Sequence, residues 1–158
     1  MTGKDSQPLA NDIIIWLAAT SDQERRQLVD ALSYNGLAHR LQAFDSGASL
    51  LARLDDLAHR SVVSRRVYPA LLLLALEDGP TEALEVLARV KRNEVLKSVP
   101  AIVFKGQDSH YSTLECYRLG AASVIRLPLR FEGLVEVMRI MENYWFSVSP
   151  LPGLPPKS

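Results

Sequence analysis

The side chains of this chain that could do chemistry are few and lie far apart in the sequence. Its three histidines, His39, His59 and His110, have no carboxylate or nucleophile at a spacing typical of a catalytic or metal-binding motif. Cys116 is the only cysteine, so neither an internal disulfide nor a thiolate zinc site can form. It lies in an apolar pattern typical of a helix, which favours burial of the thiol. We therefore predict surface histidines and a buried, inert cysteine.

Carboxylates near predicted strand ends are the remaining candidates for phosphoryl or cation chemistry: Asp22, Glu77, Asp78 and Asp108. Asp22 falls in the first turn of a predicted helix, where the helix dipole stabilises a negative charge. Asp78 precedes Gly-Pro and is typical of a turn. Local structure accounts for both residues, and a surrogate phosphate acceptor among these acids stays the minor alternative.

Composition and charge limit the classes of function. The chain has 158 residues with 47% hydrophobic side chains, which is typical of one globular domain. Its 18 basic and 18 acidic residues cancel, which disfavours nucleic-acid binding driven by bulk charge. The apolar run 71–76 ends at Glu77, and no uninterrupted apolar stretch is long enough to span a membrane. With no secretion signal in the polar N-terminus, we expect a cytoplasmic protein without membrane contact.

Alternating strand and helix patterns predict an α/β fold. Short apolar runs predict five strands, over residues 13–17, 37–44, 71–74, 101–104 and 123–126. Apolar residues at helical spacing predict helices after the Ser21–Glu24 capping box, after Ser46-Gly47, and over residues 84–96, 111–118 and 131–144. Five alternations imply a doubly wound, five-stranded parallel sheet with helices on both faces, joined by right-handed crossovers. In such sheets the working crevice lies at the carboxyl ends of the strands.

Several sequence segments, in their order along the chain, resemble the receiver domain of two-component response regulators, and in particular the stand-alone regulators that partner phytochromes. These are residues 68–74, 85–91, 99–103 and 119–123, Pro128, and the aromatic ending 142–146. The resemblance covers about residues 12–152 and implies the flavodoxin-like receiver fold with strand order 2-1-3-4-5. It also implies a cis peptide bond before Pro128.

The same resemblance assigns five positions to a phosphorylation pocket. In receivers, two acids after strand one hold Mg²⁺, an aspartate ending strand three accepts the phosphoryl group, and a hydroxyl and a lysine after strands four and five contact the phosphate. In that order, these roles fall on Ala18, Ala19, Ala75, Lys105 and Leu127. An alanine methyl can neither accept a phosphoryl group nor bind magnesium, so the pocket is predicted to be degenerate. We also predict that Lys105 pairs with Glu77 or Asp78, the alternative being that it reaches into solvent.

The C-terminus carries large apolar side chains that a single domain buries with difficulty. We divide the chain into a flexible tail at 1–11, a receiver-like domain at 12–145 and an aromatic, Pro-rich extension at 146–158. Exposed aromatic groups are typical of protein interfaces, which makes the following residues interface candidates: Tyr144, Trp145, Phe146 and Leu151. The alternative is that the extension folds back on its own domain. In the resembling subgroup the extension joins a homodimer through the fourth helix, the fifth strand and the last helix.

We therefore predict a phosphorylation-independent pseudo-receiver that acts in signal transduction through protein contacts, as a homodimer, and that is not an enzyme. No cofactor or metal is implied, and the expected partner is a protein such as a sensor kinase or a phytochrome-like protein. One alternative is an active phosphorelay receiver that uses a surrogate acid. Another is a small module in which Ala18, Ala75 and Leu127, with Lys105 at the lip, bind an anionic ligand.

Overall fold

Five parallel strands in the order β2-β1-β3-β4-β5 form one sheet, as the sequence predicts. The computed structural model describes residues 14–36, 41–59, 67–77, 82–106 and 112–145. The strands are β1 (Ile15–Ala19), β2 (Leu41–Phe44), β3 (Leu71–Ala75), β4 (Ala101–Lys105) and β5 (Ser123–Arg126). β1 and β3 lie at the centre and are buried along their whole length, which explains their continuous apolar sequences.

Three strand ends differ from the prediction, and all three differences concern the pocket positions. β3 ends at Ala75, one residue beyond the predicted end at residue 74. β1 continues to Ala19, two residues beyond the predicted end at residue 17, because Ala18 and Ala19 pair in register with Leu74 and Ala75 of β3. β4 likewise includes Lys105, which pairs with Arg126 of β5. Ala18, Ala19 and Lys105 are therefore the last residues of strands rather than the first residues of loops.

The helices are α1 (Asp22–Tyr34), α2 (Gly47–Ala58), α3 (Glu82–Lys91), α4 (Thr113–Arg118) and α5 (Phe131–Asn143). Serine caps begin three of them, and in α1 the Ser21 hydroxyl accepts a hydrogen bond from the Glu24 N–H at 3.2 Å, as the predicted capping box requires. α1 ends at Tyr34 with Asn35 as its C-cap, followed by Gly36 with φ of 81°, a conformation that favours glycine. Within the described residues, no helix has both the length and the apolar composition that a bilayer crossing requires.

Helices cover both faces of the sheet and enclose two apolar clusters. One lies under α2, α3 and α4, and contains Trp16, Ala18 and the thiol-bearing Cys116, which is fully buried as predicted. The other lies under α1 and α5, and contains Ala19, Ala75 and further side chains from β3 and β4. Successive residues of a strand point to opposite faces, so Ala18 and Ala19 belong to different clusters.

Two expectations are wrong. Leu96 does not belong to the third helix, which ends at Lys91; Leu96 instead begins a 3₁₀ turn that continues to Ser98. The Asn93 side chain explains the break, because its Oδ1 accepts hydrogen bonds from the N–H groups of Val95 and Leu96, both at 2.9 Å. The bond before Pro128 is trans, as no described peptide bond is cis. Leu127 here extends the pairing of β5, its N–H donating to the Lys105 carbonyl at 2.9 Å.

Candidate functional site

The five predicted pocket positions meet at the carboxyl edge of the sheet but divide between its two faces. Ala19 and Ala75 are direct partners in the β1–β3 register and share one apolar cluster with Leu127. Ala18 lies on the opposite face, in the cluster under α2, α3 and α4. Lys105 ends β4, and its ammonium donates to the Thr113 hydroxyl of α4 at 3.0 Å.

The apolar members of this set are closed to solvent. Ala18, Ala19 and Ala75 have no exposed surface, and Leu127 is 5% exposed. Ala18, Ala75 and Leu127, which were predicted to line a crevice for a small anionic ligand, are therefore buried side chains. An open groove of about 260 Å³ does lie beside it, lined by Ser21, Gln23, Glu24, Gln27, Gly106, Leu127, Pro128 and Leu129.

A hydrogen-bond network connects the ends of β1, β3 and β4. The Thr20 N–H donates to the Ala75 carbonyl at 3.2 Å, and the Glu77 N–H donates to the Thr20 hydroxyl at 3.2 Å. The Glu77 carboxylate then accepts from the Gly106 N–H at 3.0 Å. Glu77 thus joins the segments that follow three strands, and its carboxylate is used inside the protein rather than presented to a ligand.

Glu24, in the first turn of α1, brings a second carboxyl group to the same place. A Cβ atom added to Gly106 would lie 3.4 Å from Oε2 of Glu77 and 3.8 Å from Oε2 of Glu24, so both carboxyl groups border this glycine. The Oε1 atom of Glu24 is buried and has no hydrogen-bond partner. Burial of the carboxyl group, and secondarily the negative charge of Glu77, raise the pKa of Glu24 above its ordinary value.

Arg25 supplies positive charge at this edge. Its guanidinium donates to the carbonyl oxygen of Ala19 at 2.8 Å and pairs with the Asp22 carboxylate. The sequence analysis expected Lys105 to supply the cation, through Glu77 or Asp78. In the structure Lys105 donates to the Thr113 hydroxyl, and Glu77 accepts the Gly106 N–H. Asp78 lies outside the described residues, so a pairing of Lys105 with Asp78 stays a prediction.

Thr20, Glu24 and Arg25 were not predicted as members of this site. The capping box pointed to Glu24 as a helix-start residue, but its carboxyl group turns toward Glu77 instead of solvent. The one usable signal was the spacing: Glu24 and Arg25 follow the end of β1 by five and six residues, which places them at the end of the first turn of α1. Across the described residues, no group of three or more His, Cys, Asp and Glu side chains is placed to bind a metal ion.

The aromatic interface candidates lie only partly within the described residues. Tyr144, just after α5, is exposed and packs edge-to-face on Trp145, with ring centroids 4.9 Å apart. Trp145 also contacts the apolar cluster under α1 and α5. Phe146 and Leu151 lie outside the described residues, as do the two tails at 1–11 and 146–158.

Known proteins share this architecture and much of the chain length. The probable methanogenesis regulatory protein FilR2 of Methanothrix harundinacea is 26% identical over 142 residues, which cover 89% of this chain and 88% of that protein. The response regulator Rcp1 of Synechocystis is 24% identical over 139 residues, which cover 88% and 92% of the two chains. No family model matches the sequence.

A solved structure matches most of the chain. The phosphorylated cyanobacterial phytochrome response regulator RcpA superposes with a TM-score of 0.75 at 24% identity, covering 89% of this chain and 99% of that one. Strand order and helix placement agree with this fold. The homologues of this chain are response regulators. Its receiver fold places Ala19, Ala75 and Leu127 where the strand ends of the sheet meet.

Proposed function

We propose that this chain is a pseudo-receiver, which takes part in signal transduction through protein contacts and does so without phosphorylation. It is proposed to act in the cytoplasm, with no catalytic activity of its own and with no cofactor. A receiver-type signalling role agrees with the response-regulator homologues and with the fold. The independence from phosphorylation rests on the side chains at the carboxyl edge.

The observation that carries this proposal is the apolar contact among Ala19, Ala75 and Leu127. Each of these side chains lies in the cluster under α1 and α5, and none offers an oxygen or a nitrogen. A divalent ion such as Mg²⁺ requires oxygen ligands at about 2.1 Å, and a phosphoryl acceptor requires a nucleophile. Apolar side chains at the edge provide neither the oxygen ligands nor the nucleophile. They also avoid the electrostatic repulsion that carboxylates crowded at this edge would cause.

A surrogate acid is the rival explanation. Asp22 is exposed and pairs with Arg25, while Glu77 accepts the Gly106 N–H, so both described candidates already have partners inside the protein. Asp78 and Asp108 lie outside the described residues. These contacts favour the pseudo-receiver, and the phosphorylation experiment below tests both explanations directly.

The test is incubation of the full chain with acetyl phosphate and Mg²⁺, followed by intact-mass measurement at neutral pH. RcpA, which has been crystallised in its phosphorylated form, is the positive control. We expect no mass increase in this chain and a clear increase in RcpA. An acyl-phosphate adduct would overturn the proposal, and the variants Asp22→Asn, Glu77→Gln, Asp78→Asn and Asp108→Asn would then locate the acceptor.

We further propose that the contact surface is formed by α4, β5 and α5, and that it joins two copies of the chain. Exposed apolar side chains lie on both helices, namely Leu114, Tyr117 and Ile140, and the exposed Tyr144 directly follows α5. β5 is an edge strand, and the Tyr117 hydroxyl accepts a hydrogen bond from its Val124 N–H at 3.1 Å, which places the Tyr117 ring beside the strand. Exposed apolar groups of this size are typical of contact surfaces.

The oligomeric state tests this surface. Sedimentation of the full chain should show a dimer that weakens when the chain is truncated after Asn143, because this removes Tyr144, Trp145 and the extension. A monomer at all concentrations would exclude the homodimer and leave a different protein, such as a sensor kinase or a phytochrome-like protein, as the partner. Neither nucleic acid nor a membrane is proposed as a partner, given the zero net charge.

A further inference from the structure

We propose that Glu24 and Glu77 form a proton-sensitive latch across the carboxyl ends of β1, β3 and β4, which closes more tightly when the two carboxyl groups share a proton. This latch is independent of any phosphoryl chemistry at Ala75. It gives the edge a way to respond to a condition of the solution although the predicted phosphorylation positions are apolar.

The first part of the latch is a fixed chain of hydrogen bonds. Glu77 donates its N–H to Thr20 at 3.2 Å and accepts the Gly106 N–H at 3.0 Å, so a single residue holds the segments after β1 and β4. The Thr20 N–H in turn donates a hydrogen bond to the Ala75 carbonyl oxygen at 3.2 Å. Movement of the Glu77 carboxylate would therefore release the Gly106 backbone from the end of β3.

The second part is the incomplete hydrogen bonding of Glu24. Its Oε1 is buried without a partner, while its Oε2 lies beside Gly106, where the Glu77 carboxylate is also found. Two ionised carboxylates in this position repel each other and leave an acceptor unsatisfied. With one proton, Glu24 gains an O–H donor, and the pair can form a short charge-assisted hydrogen bond.

Both carboxyl groups border the same backbone segment at Gly106. A Cβ atom at this position would lie 3.4 Å from Oε2 of Glu77 and 3.8 Å from Oε2 of Glu24, which are ordinary van der Waals contacts. The groove beside Glu24 reaches solvent, and among the described residues that line it Glu24 is the one charged side chain. A proton can therefore reach this carboxyl group without unfolding of the edge.

The elements packed around the latch carry other charged groups, in chain order Asp22, Arg25, Lys105, Arg126 and Arg130. Arg25 is engaged by Asp22 and the Ala19 carbonyl, and Lys105 donates to Thr113. Arg126 and Arg130 are exposed on either side of the segment 127–129. The acids and the histidine at 78, 108 and 110 lie outside the described residues, so variants at these positions belong in the test.

The experiment follows the Glu24 and Glu77 side-chain carboxyl carbons by NMR between pH 3.5 and 8, together with hydrogen-exchange protection of the Gly106 amide. We expect Glu24 to titrate above the ordinary glutamate range, and the variant Glu77→Gln to lower its midpoint. The protection factor of Gly106, corrected for intrinsic exchange, should fall as pH rises through the Glu24 titration, by about tenfold for each unit of pKa elevation.

Three variants decide the outcome. Glu24→Gln should remove the pH dependence of Gly106 protection, because its amide keeps the shape of the protonated acid. Glu115→Gln is the matched control, since Glu115 occupies the equivalent position of α4 and its N–H likewise donates to a serine cap at 3.2 Å. It should leave the latch unchanged, as should the combined variant Asp78→Asn, Asp108→Asn, His110→Gln.

Two results would overturn the proposal. One is a Glu24 midpoint in the ordinary range that does not respond to Glu77→Gln. The other is Gly106 protection that stays constant with pH in the unmodified protein, a measurement that needs no variant to fold. Either result leaves the acetyl phosphate experiment on the full chain unaffected, so failure of the latch and failure of the pseudo-receiver are distinguishable.

Discussion

The carboxyl edge of the sheet and the surface formed by α4 and α5 differ in the solvent exposure of their apolar side chains. At the edge, Ala19 and Ala75 are fully buried and the nearby Glu77 carboxylate is turned inward to a backbone N–H. On the helical surface, Leu114 is 59% exposed and Ile140 is 56% exposed. At the edge the apolar groups are buried and Glu77 is hydrogen-bonded, although Oε1 of Glu24 has no partner, whereas the helical surface leaves apolar area open to water.

The difference indicates where contacts with other molecules are to be expected. A site for a small charged ligand needs polar groups that are not already used, and the edge uses them in the Thr20–Glu77–Gly106 network. A protein-contact surface needs apolar area that water can leave on binding, which α4 and α5 provide. The molecule is thus closed where receivers of known type are phosphorylated and open where a partner protein would pack.

The largest expected effect is on stability, from Ala75→Asp. The new carboxylate would be buried among apolar side chains with Leu127 in place of a lysine, and we expect a loss of about 3 to 5 kcal/mol in the free energy of unfolding. Urea unfolding with and without Mg²⁺ measures it. Ala43→Asp, on the exposed part of β2, is the control and should cost about 1 kcal/mol or less. Stability regained by adding Mg²⁺ would show that the edge is an open ion site.

The second effect concerns the α4–α5 surface. Ile140→Lys places a charge in the exposed apolar area and should weaken self-association at least about tenfold, or about 1.4 kcal/mol. Sedimentation equilibrium measures the dissociation constant. Tyr34→Lys is the matched control, because Tyr34 is 74% exposed but lies on α1. Equal weakening by both variants would argue against a contact confined to α4 and α5.

A smaller effect is the pH dependence of stability that Glu24 contributes. Burial raises the pKa of Glu24 in the folded state above the unfolded value of 4.5, so the folded chain holds this proton more tightly. The corresponding stability is fully present below the unfolded pKa and is lost as pH rises through the window up to the folded pKa.

Comparison of stability curves for the unmodified protein and Glu24→Gln isolates this contribution. Burial also raises the pKa of Glu142, which adds a slope of the same sign that both proteins share. We expect the free energy of unfolding to decline less steeply above pH 4.5 in the variant than in the unmodified protein. Two parallel curves would mean that Glu24 titrates alike in the folded and unfolded chains.

The smallest effect is expected for the contact between Lys105 and Thr113. The ammonium–hydroxyl hydrogen bond is solvent-exposed, so a double-mutant cycle with Lys105→Ala and Thr113→Val should give a coupling of about 0.5 kcal/mol. A parallel cycle of Lys105→Ala with Glu77→Gln tests the ion pair predicted from the sequence. A larger coupling in the second cycle would place Lys105 in the acidic network of the edge.

Much of the fold was predictable because its signals are local. The apolar run of β3, the Ser21 cap and the Asn35-Gly36 stop each act within a few residues, and the structure confirms the elements they predicted. The strand ends were less predictable, since β1 reaches Ala19 only by pairing with β3. The trans bond before Pro128 differs from what the family resemblance implied.

The candidate site was predictable only in part. Position along the chain was enough to bring Ala19, Ala75 and Leu127 together, because parallel strands end at one edge. Position along the chain did not separate Ala18 from that group. β1 was predicted to end before Ala18, and only because the strand continues through this residue does its side chain point to the opposite face of the sheet. Nor did position along the chain identify Glu24 and Arg25, whose side chains reach back from α1 to the edge.

By itself, the sequence determined that a doubly wound sheet would form and that methyl groups would occupy its reactive edge, because residue identity and hydrophobic period are written in the chain. Only the tertiary structure decided which polar atoms meet there. Glu24 and Glu77 are 53 residues apart, and Glu77 and Gly106 are 29 apart. Contacts at such separations depend on how helices pack on the sheet, which no local pattern encodes.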